Sequence, residues 1–371
     1  MADEAKSRRD VALLTWHYHR NVGSCLQAYA MYSTVRSLGY DGVFLNYRKG
    51  WRENPLWRIV RDTVSRLYLI LPHVIPARRA AQAHRFQQDF LEQTRLCSRA
   101  EELKSFNGQF RMYLVGSDQI WAPNVLDETY LLTFVQDGAK RYAYAPSIGL
   151  LSIPDSKKDL YRKYLGYFNR IAVRERQGAE LLEKLLGYPI QWVLDPTFLV
   201  DAQEWKRLAI WPERKTQRFL FCYFLGKDPN HREWANCLAR SNGLQVVLLS
   251  EHEESRRLGW ILLRGLGPRQ FLGWLENSDF VLTDSFHGMN LCMILKKDFY
   301  VLERFRQDDA INQNTRIHNL LDAFGLESRL MHEANTILTP VPYTTVAPLI
   351  CKEQERSLRI LKDMLAEGCG H

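Results

Sequence analysis

The chain has 371 residues, enough for two domains of ordinary size. Apolar residues make up 46% and aromatic residues 12%, and this composition excludes a largely disordered protein. Lysine and arginine number 50 against 42 for aspartate and glutamate, giving a net charge of +8. This excess is too small for the uniformly basic surface of a chromatin protein, so we expect no nucleic-acid partner.

Seven cysteines are scattered along the chain, and none belongs to a C-x-x-C pair. This pattern argues against a disulfide framework and against a structural zinc site. We therefore expect reduced thiols, no metal and a cytoplasmic location. The charged N-terminus and the short apolar runs predict neither a secretory signal nor a membrane-spanning helix.

Short β-rich runs alternate with helical patterns from one end of the chain to the other. The predicted strands are 11–15, 43–46, 112–115, 141–145, 171–173, 192–194, 219–225, 244–249, 280–283 and 299–302. The predicted helices are 25–38, 156–168, 175–186, 230–241, 270–276, 289–296 and 312–324. Because such alternation is typical of parallel sheets covered by helices, we expect an α/β fold with two Rossmann-like, doubly wound domains.

The least regular connection, residues 195–217, predicts the boundary between the two domains. We expect an N-terminal domain over 1–200, a C-terminal domain over 216–345, and a final helix over 346–371 that could cross back to the N-terminal domain. In folds of this kind, ligands bind at the carboxyl ends of the strands and in the cleft between domains.

A basic segment is inserted in the N-terminal domain at about 48–95. Between Arg48 and Arg85 it carries nine basic residues and two acidic ones. Apolar residues from Leu56 to Leu71 recur at spacings of three and four, which predicts one apolar face of a helix. The basic residues largely off that face are Arg58, Arg61 and Arg66. Such a helix can lie on an anionic membrane surface, or it can pack on its own domain with the arginines in solvent.

Polar residues follow the first and the third predicted strands, where a ligand could bind. The free N–H groups of the first helix, behind Gly23, could bind an anion or a sugar hydroxyl. After the third strand, Asp118 could take a proton from a hydroxyl, and Trp121 could stack on a sugar ring. The candidates for acceptor binding are Asn21, Gly23, Ser24, Ser117, Gln119 and Trp121. The alternative in both places is a structural turn, with Trp121 in the core.

Three further strand ends carry charged or ionisable residues. Arg174 could hold a phosphate or a carboxylate through two hydrogen bonds, or it could form a structural salt bridge. The turn at 194–197 is typical of a structural connection, and no chemistry is assigned to it. His287 follows the strand 280–283 at the start of a predicted helix, and we expect it to donate a proton beside a bound anion.

In their order and spacing, these motifs together resemble the polysaccharide pyruvyl transferase family. The matching segments are 21–28, 116–121, 173–175, 194–197, 267–268, 283–288 and 319–325, with Arg329 close to the end. The resemblance implies a GT-B-like fold with a deep cleft between the acceptor-side N-terminal domain and the donor-side C-terminal domain. It also implies transfer of pyruvate from phosphoenolpyruvate onto a sugar as a cyclic ketal, with release of phosphate and with no cofactor besides this co-substrate.

The resemblance also suggests which residues do the chemistry. Family members with a Ser-Arg-Leu-His motif place its arginine and histidine at phosphoenolpyruvate; here the histidine carries over to His287, but the arginine does not. The arginine of the family's Val-Arg-Glu motif corresponds to Arg174. Arg316 is the best candidate to replace the missing arginine of the Ser-Arg-Leu-His motif, and Arg304 and Arg306 are the next candidates. The expected donor-binding residues are Arg174, Arg316, Ser285, Phe286 and Gly288. His287 is the expected acid and Asp118 the expected base.

Two other classes of function remain open. A glycosyltransferase that uses a nucleotide sugar would have the same fold, and Glu303 could then hold the ribose. A non-catalytic assembly factor could keep the fold and bind a glycolipid. For the pyruvyl transferase, the expected acceptor belongs to a cell-surface polysaccharide or to its lipid-linked precursor, which the enzyme would meet at the inner face of the membrane.

Overall fold

The computed structural model describes residues 8–18, 21–50, 75–212, 218–250, 259–305, 309 and 313–370, without the side chains of 75–77. The predicted basic helix, with Arg58, Arg61 and Arg66, lies outside the described residues, as does Arg306. Within these ranges, no helix combines the length and the apolar character needed to cross a bilayer.

The first sheet is parallel, with the strand order β2-β1-β3-β4-β5-β6. Its strands are β1 (Arg9–Leu14), β2 (Gly42–Phe44), β3 (Phe110–Val115), β4 (Lys140–Tyr144), β5 (Arg170–Val173) and β6 (Gln191–Trp192). The helices along this part of the chain are α1 (Val22–Ser37), α2 (Ile75–Phe90), α3 (Ala100–Leu103), α4 (Asp155–Leu165) and α5 (Arg176–Leu186). Along β1, Val11 and Leu13 enter one apolar core, whereas Ala12 and Leu14 enter another, so both faces of the sheet are buried.

The second sheet is also parallel, with the order β11-β10-β7-β8-β9. Its strands are β7 (Phe219–Phe224), β8 (Gln245–Ser250), β9 (Ile261–Leu263), β10 (Phe280–Thr283) and β11 (Phe299–Val301). The remaining helices are α6 (Ala202–Leu208), α7 (Pro229–Ser241), α8 (Pro268–Asn277), α9 (Phe286–Ile294), α10 (Thr315–Phe324) and α11 (Tyr343–Cys369). The sequence did not predict β9, because a three-residue edge strand is too short to show a period.

Both sheets have the strand order of doubly wound folds, which confirms the predicted fold class. In each sheet the strand order reverses at one point, between β1 and β3 in the first and between β7 and β10 in the second. Loops at such switch points diverge to opposite faces and leave a crevice for a ligand. The segments after β1, β3 and β10 are therefore the places to look for a site.

The two domains share a continuous apolar core and several polar contacts. Leu13 of β1 and Phe221 of β7 belong to the same buried cluster. Asn290 in α9 donates a hydrogen bond from Nδ2 to Thr197 Oγ1 in the first domain, at 3.3 Å. At the other end of the chain, α11 returns to the first domain, where Ser357 Oγ accepts a hydrogen bond from Leu194 N at 3.0 Å. Helix α9 is therefore packed against both domains.

Candidate active site

Helix α9 begins at Phe286, three residues before the predicted start, because Ser285 caps it. The Ser285 Oγ accepts a hydrogen bond from Gly288 N at 3.2 Å. A Cβ at Gly288 would lie 2.9 Å from Thr283 Oγ1, so this glycine lets the helix pack closely on β10. Ser285 and Gly288 thus build the start of the helix, and their predicted role in donor binding stays a prediction.

His287 lies in the first turn of α9, at the contact between the domains. Its side chain is 9% exposed, and its Nε2 lies 3.6 Å from Asp195 Oδ2. On its other side, a Cβ at Gly23 of α1 would lie only 2.5 Å from His287 Nδ1. The imidazole of the second domain is therefore held between two segments of the first domain.

Asp195 lies at the centre of this buried cluster. Its Oδ2 accepts hydrogen bonds from Arg174 Nη1 and Ser117 Oγ, both at 2.9 Å. Burial favours the neutral carboxyl, but the neighbouring His287 and Arg174 and the Thr197 N–H outweigh burial and lower the pKa of Asp195. The turn at 194–197, to which the sequence analysis assigned no chemistry, follows β6 at the same sheet edge as Arg174 and brings Asp195 next to His287.

Two buried arginines from different domains lie beside the ring of Phe286. The guanidinium carbon of Arg174 lies 4.6 Å from the centre of the Phe286 ring, and that of Arg316 lies 5.6 Å from it. Burial disfavours the charge on Arg174, but Asp195, Asp118 and Glu175 compensate and raise its pKa. Within the described structure, Nε and Nη2 of Arg174 have no hydrogen-bond acceptor.

Arg316 differs from Arg174 because it forms no ion pair with the described residues, and Glu175 and Asp118 favour its charge only from a greater distance. Its Nε donates to Gln313 O at 3.2 Å, and no carboxylate of the described residues lies within 4.0 Å of it. Burial and the positive charges of Arg174 and Arg304 lower the pKa of Arg316 to about 9. A buried guanidinium without an ion pair favours the binding of an anion beside it.

The segment before α10 is held by Asn314. Its Oδ1 accepts hydrogen bonds from Arg304 N at 3.1 Å and from Phe305 N at 3.2 Å. Arg304 in turn lies close to the β10 motif, with Nη2 at 3.5 Å from Asp284 O. These contacts bring Arg304 and Arg316 to the same side of the cluster.

Asp118 closes the cluster on the side of the first domain. Ser24 Oγ donates a hydrogen bond to Asp118 Oδ2 at 2.7 Å, and Gln119 N donates to Oδ1 at 2.9 Å. Burial opposes ionisation, but the charges of His287 and Arg174 lower the pKa of Asp118. Asp118 is therefore ionised and pairs with a hydroxyl at the start of α1.

Two residues predicted to bind the acceptor are inaccessible. Trp121 is fully buried, and its Nε1 donates to Tyr130 O at 2.8 Å, so it belongs to the core of the first domain. Ser117 is also fully buried, with its hydroxyl between Asp195 Oδ2 and Ala145 O. The polar groups of both side chains are thus engaged in hydrogen bonds within the first domain.

The other predicted acceptor residues lie around the first turn of α1. The Asn21 side chain accepts a hydrogen bond from Gly23 N at 2.8 Å and so caps this helix. Gly23 lies against the His287 ring, and Ser24 contacts Asp118. Gln119 is half-buried, and its Nε2 has no partner among the described residues. Of these side chains, Ser24 and Gln119 have the polar groups best placed to meet a hydroxyl.

Glu175, next to Arg174 in sequence, is a third buried carboxyl that sequence reasoning missed. Burial raises its pKa against the opposing charge of Arg174, and Ser147 Oγ donates a hydrogen bond to it. Its position directly after a strand was the available signal. Among the described residues, no group of three or more His, Cys, Asp or Glu side chains is arranged to hold a metal ion.

Two doubly wound domains with ionisable groups of both at their contact define the class: an α/β protein with a buried polar cluster where its two domains meet. The sequence pattern of the polysaccharide pyruvyl transferase family matches residues 21–304, and the chain belongs to this family. The family resemblance found in the motifs is thus confirmed, and the family places the chain among the transferases of polysaccharide biosynthesis.

Several solved structures are similar to this chain. The wall teichoic acid polymerase TagF is 11% identical, with 98% of this chain and 85% of that chain covered and a TM-score of 0.45. The UDP-GlcNAc 2-epimerase from Neisseria meningitidis is 10% identical, with coverages of 95% and 99% and a TM-score of 0.46. A UDP-glucosyltransferase from Polygonum tinctorium is also 10% identical, with coverages of 97% and 99% and a TM-score of 0.46. A search of curated proteins found no match.

Proposed function

We propose that this transferase moves pyruvate from phosphoenolpyruvate onto two hydroxyls of one sugar, forms a cyclic ketal and releases phosphate. The observation that supports this most directly is the pair of guanidiniums, Arg174 and Arg316, that lie 4.6 and 5.6 Å from the ring centre of Phe286, which itself contacts the ring of His287. Phosphoenolpyruvate has a carboxylate and a phosphate on neighbouring atoms, so it needs two cations and a proton donor in one place.

The two arginines would divide the two anionic groups between them. Arg316 has no carboxylate partner among the described residues, so we assign to it the phosphate, whose charge is the larger. Arg174 is paired with Asp195 through Nη1, and Glu175 and Asp118 lie 3.6 and 3.7 Å from its Nε and Nη2. Neither of these two nitrogens has a hydrogen-bond acceptor among the described residues, so they would bind the carboxylate of the donor. Arg316 would then supply the cation that the family arginine supplies elsewhere.

The proposed reaction begins with the donation of a proton from His287 to the terminal CH₂ carbon of phosphoenolpyruvate. Positive charge develops on the neighbouring carbon, and a sugar hydroxyl attacks that carbon. The bond from this carbon to the phosphate oxygen then breaks, and a second hydroxyl of the same sugar closes the ring. Of the two hydroxyl protons released, one replaces the proton given by the imidazole and the other leaves with the phosphate.

Asp118 is the proposed base for the attacking hydroxyl. Its lowered pKa keeps it ionised, and Ser24 donates to it from the exposed side of the cluster. A sugar hydroxyl that replaces Ser24 as the donor would lose its proton to the same carboxylate oxygen.

The proposed acceptor is a sugar of a cell-surface polysaccharide or of its lipid-linked precursor. The basic segment around Arg58, Arg61 and Arg66 supports peripheral binding at the inner face of an anionic membrane, although it lies outside the described residues. The nucleotide-sugar alternative depended on Glu303 as a ribose ligand. Its Oε1 is hydrogen-bonded to His318 Nε2 at 2.7 Å, so nothing at this residue favours that function.

A ligand panel tests the proposal. Phosphoenolpyruvate should raise the melting temperature of the protein, whereas UDP-, GDP- and CMP-sugars should not, because only a ligand that binds the folded state stabilises it. Phosphate release should then depend on an added saccharide. Stabilisation by a nucleotide sugar and not by phosphoenolpyruvate would contradict the proposal.

Two variants separate binding from chemistry. His287→Ala should abolish phosphate release but keep the Kd for phosphoenolpyruvate within about tenfold, because a proton donor acts mainly in the transition state. Arg316→Ala should weaken binding by about 100-fold, because it removes a buried cation from an anionic ligand. Arg359 is an exposed arginine of α11, and Arg359→Ala is the matched control. It should leave phosphate release and the Kd for phosphoenolpyruvate unchanged.

A further inference from the structure

We propose that Asp195 is a positioning residue for this reaction: it fixes the orientation of His287 and stabilises the protonated imidazole that donates to the enol carbon. The inference rests on the proposed function and adds a residue from the other domain to it. The sequence analysis assigned no chemistry to this position, and the geometry of the cluster points to a role in the reaction.

The first argument is that the carboxylate cannot turn away from the imidazole. Asp195 Oδ1 accepts hydrogen bonds from Thr197 N at 3.0 Å and from Thr197 Oγ1 at 2.8 Å. Its Oδ2 is held by Arg174 Nη1 and Ser117 Oγ, and this same oxygen lies 3.6 Å from His287 Nε2. The Asp195 side chain is fully buried, so water does not compete for these contacts.

The second argument is that His287 has only one carboxylate within 4.0 Å among the described residues. The charged groups at the carboxyl ends of the surrounding strands and before α10 are Asp195, Asp118, Asp284, Arg174, Arg304 and Arg316. The arginines oppose a positive imidazole, and Asp118 acts on it from a greater distance. The ionised Asp195 is therefore the carboxylate nearest to the imidazole, at 3.6 Å from Nε2.

The third argument is that the pair joins the two domains. Asp195 belongs to the first domain and His287 to the second, and Asn290, one turn further along α9, donates to Thr197 Oγ1 at 3.3 Å. Gly23 supports the opposite edge of the imidazole. His287 therefore meets its partner Asp195 only when α9 packs against the first domain.

The pH dependence of kcat in Asp195→Asn tests the proposal. Wild-type kcat should fall as pH rises, because the imidazole loses the proton that it must donate. In Asp195→Asn the fall should occur at lower pH, so that the loss of kcat relative to wild type is about tenfold larger at high pH than at low pH. An equal loss at every pH would mean that Asp195 is only structural and would overturn the proposal.

A second measurement does not depend on activity. NMR spectra of protein labelled in histidine, with the His287 signal assigned from His287→Gln, follow the titration of this ring directly. Its midpoint should move to lower pH in Asp195→Asn but not in the control Asp279→Asn, whose carboxylate binds Phe219 N at the other end of the second sheet. If the midpoint moves in Asp195→Asn but the wild type releases no phosphate, the proposed function is wrong and the interaction of Asp195 with His287 is confirmed. If the wild type releases phosphate but the midpoint does not move, only the proposed role of Asp195 is wrong.

A third variant keeps the charge. Thr197→Val removes the hydroxyl that donates to Asp195 Oδ1. This variant tests the proposal if Asp195→Asn does not fold. It should lower kcat several-fold at an unchanged KM for phosphoenolpyruvate, because a carboxylate that is free to turn orients the imidazole less well. An unchanged kcat would overturn the positioning role.

Discussion

The imidazole of His287 lies directly against the backbone of Gly23, in the first turn of α1. A Cβ at this glycine would lie 2.5 Å from Nδ1 and 2.8 Å from Cγ of the ring, closer than packed atoms allow. Gly23 was predicted as an acceptor ligand because of its N–H group. Its absent side chain matters as well, since it leaves the space in which the proton donor lies.

Gly23→Ala should therefore reduce phosphate release strongly while the protein still folds. Alanine favours the helix by about 1 kcal/mol over glycine, so α1 itself is not destabilised, but the methyl group must displace the imidazole. In the wild type this displacement should also lower the melting temperature. In the His287→Ala background the space is empty, so Gly23→Ala should leave the melting temperature unchanged. An equal loss of stability in both backgrounds, measured by thermal unfolding, would show that the methyl group meets something other than His287.

At the scale of elements, two segments of the second domain converge on the first. All nine residues of α9 are buried, so the helix has no polar face and is packed on all sides. The segment before α10 brings Arg316 to the same place, because Asn314 holds Arg304 and Phe305 by their backbone N–H groups. Under the proposed function, Arg316 of α10 would supply the charge that the family carries in the β10–α9 motif.

The basic segment is an element whose proposed role is tested outside the site. Reversing Arg58, Arg61 and Arg66 to Glu should reduce binding to anionic vesicles and lower activity on a lipid-linked acceptor. Activity on a soluble sugar should stay unchanged, because the substitutions do not involve the site. Vesicle sedimentation and the two activity assays measure this, and an equal loss on both acceptors would make the segment part of the scaffold.

At the scale of the whole molecule, α11 ties the end of the chain to the first sheet. Its carbonyls accept hydrogen bonds from first-sheet residues: Arg111 Nη1 donates to Cys369 O at 3.0 Å and Lys140 Nζ donates to Glu367 O at 2.7 Å. Leu361 of this helix is fully buried, in an apolar core that also contains residues of both sheets. The stability of the two domains is therefore coupled through one continuous core.

Leu361→Ala should lower the free energy of unfolding by about 2–5 kcal/mol, because it leaves a cavity in this shared core. Leu349→Ala, in the same helix, is the matched control: Leu349 is 47% exposed, so its truncation should cost less than about 0.5 kcal/mol. Denaturant unfolding measures both. Similar losses for the two variants would contradict the packing of α11.

The fold class and most of the elements could be predicted from the sequence, because alternating β-rich and helical runs are local patterns. The family could be recognised as well, since ordered motifs at strand ends are visible in one dimension, and His287, Arg174, Asp118 and Arg316 were among the candidates. The sequence could not show that Arg174 and Arg316 both lie beside the ring of Phe286.

The folded structure was needed to show which polar residues lie together in one cluster and which are hydrogen-bonded inside the core of a domain. Trp121 and Ser117 carry the same side chains whether they face a ligand or the core, and burial alone assigned them to the interior. Asp195 lies 92 positions before His287, and the packing of α9 onto the first domain brings them together. Contacts between distant segments depend on how two sheets dock, and no local pattern in the sequence records that.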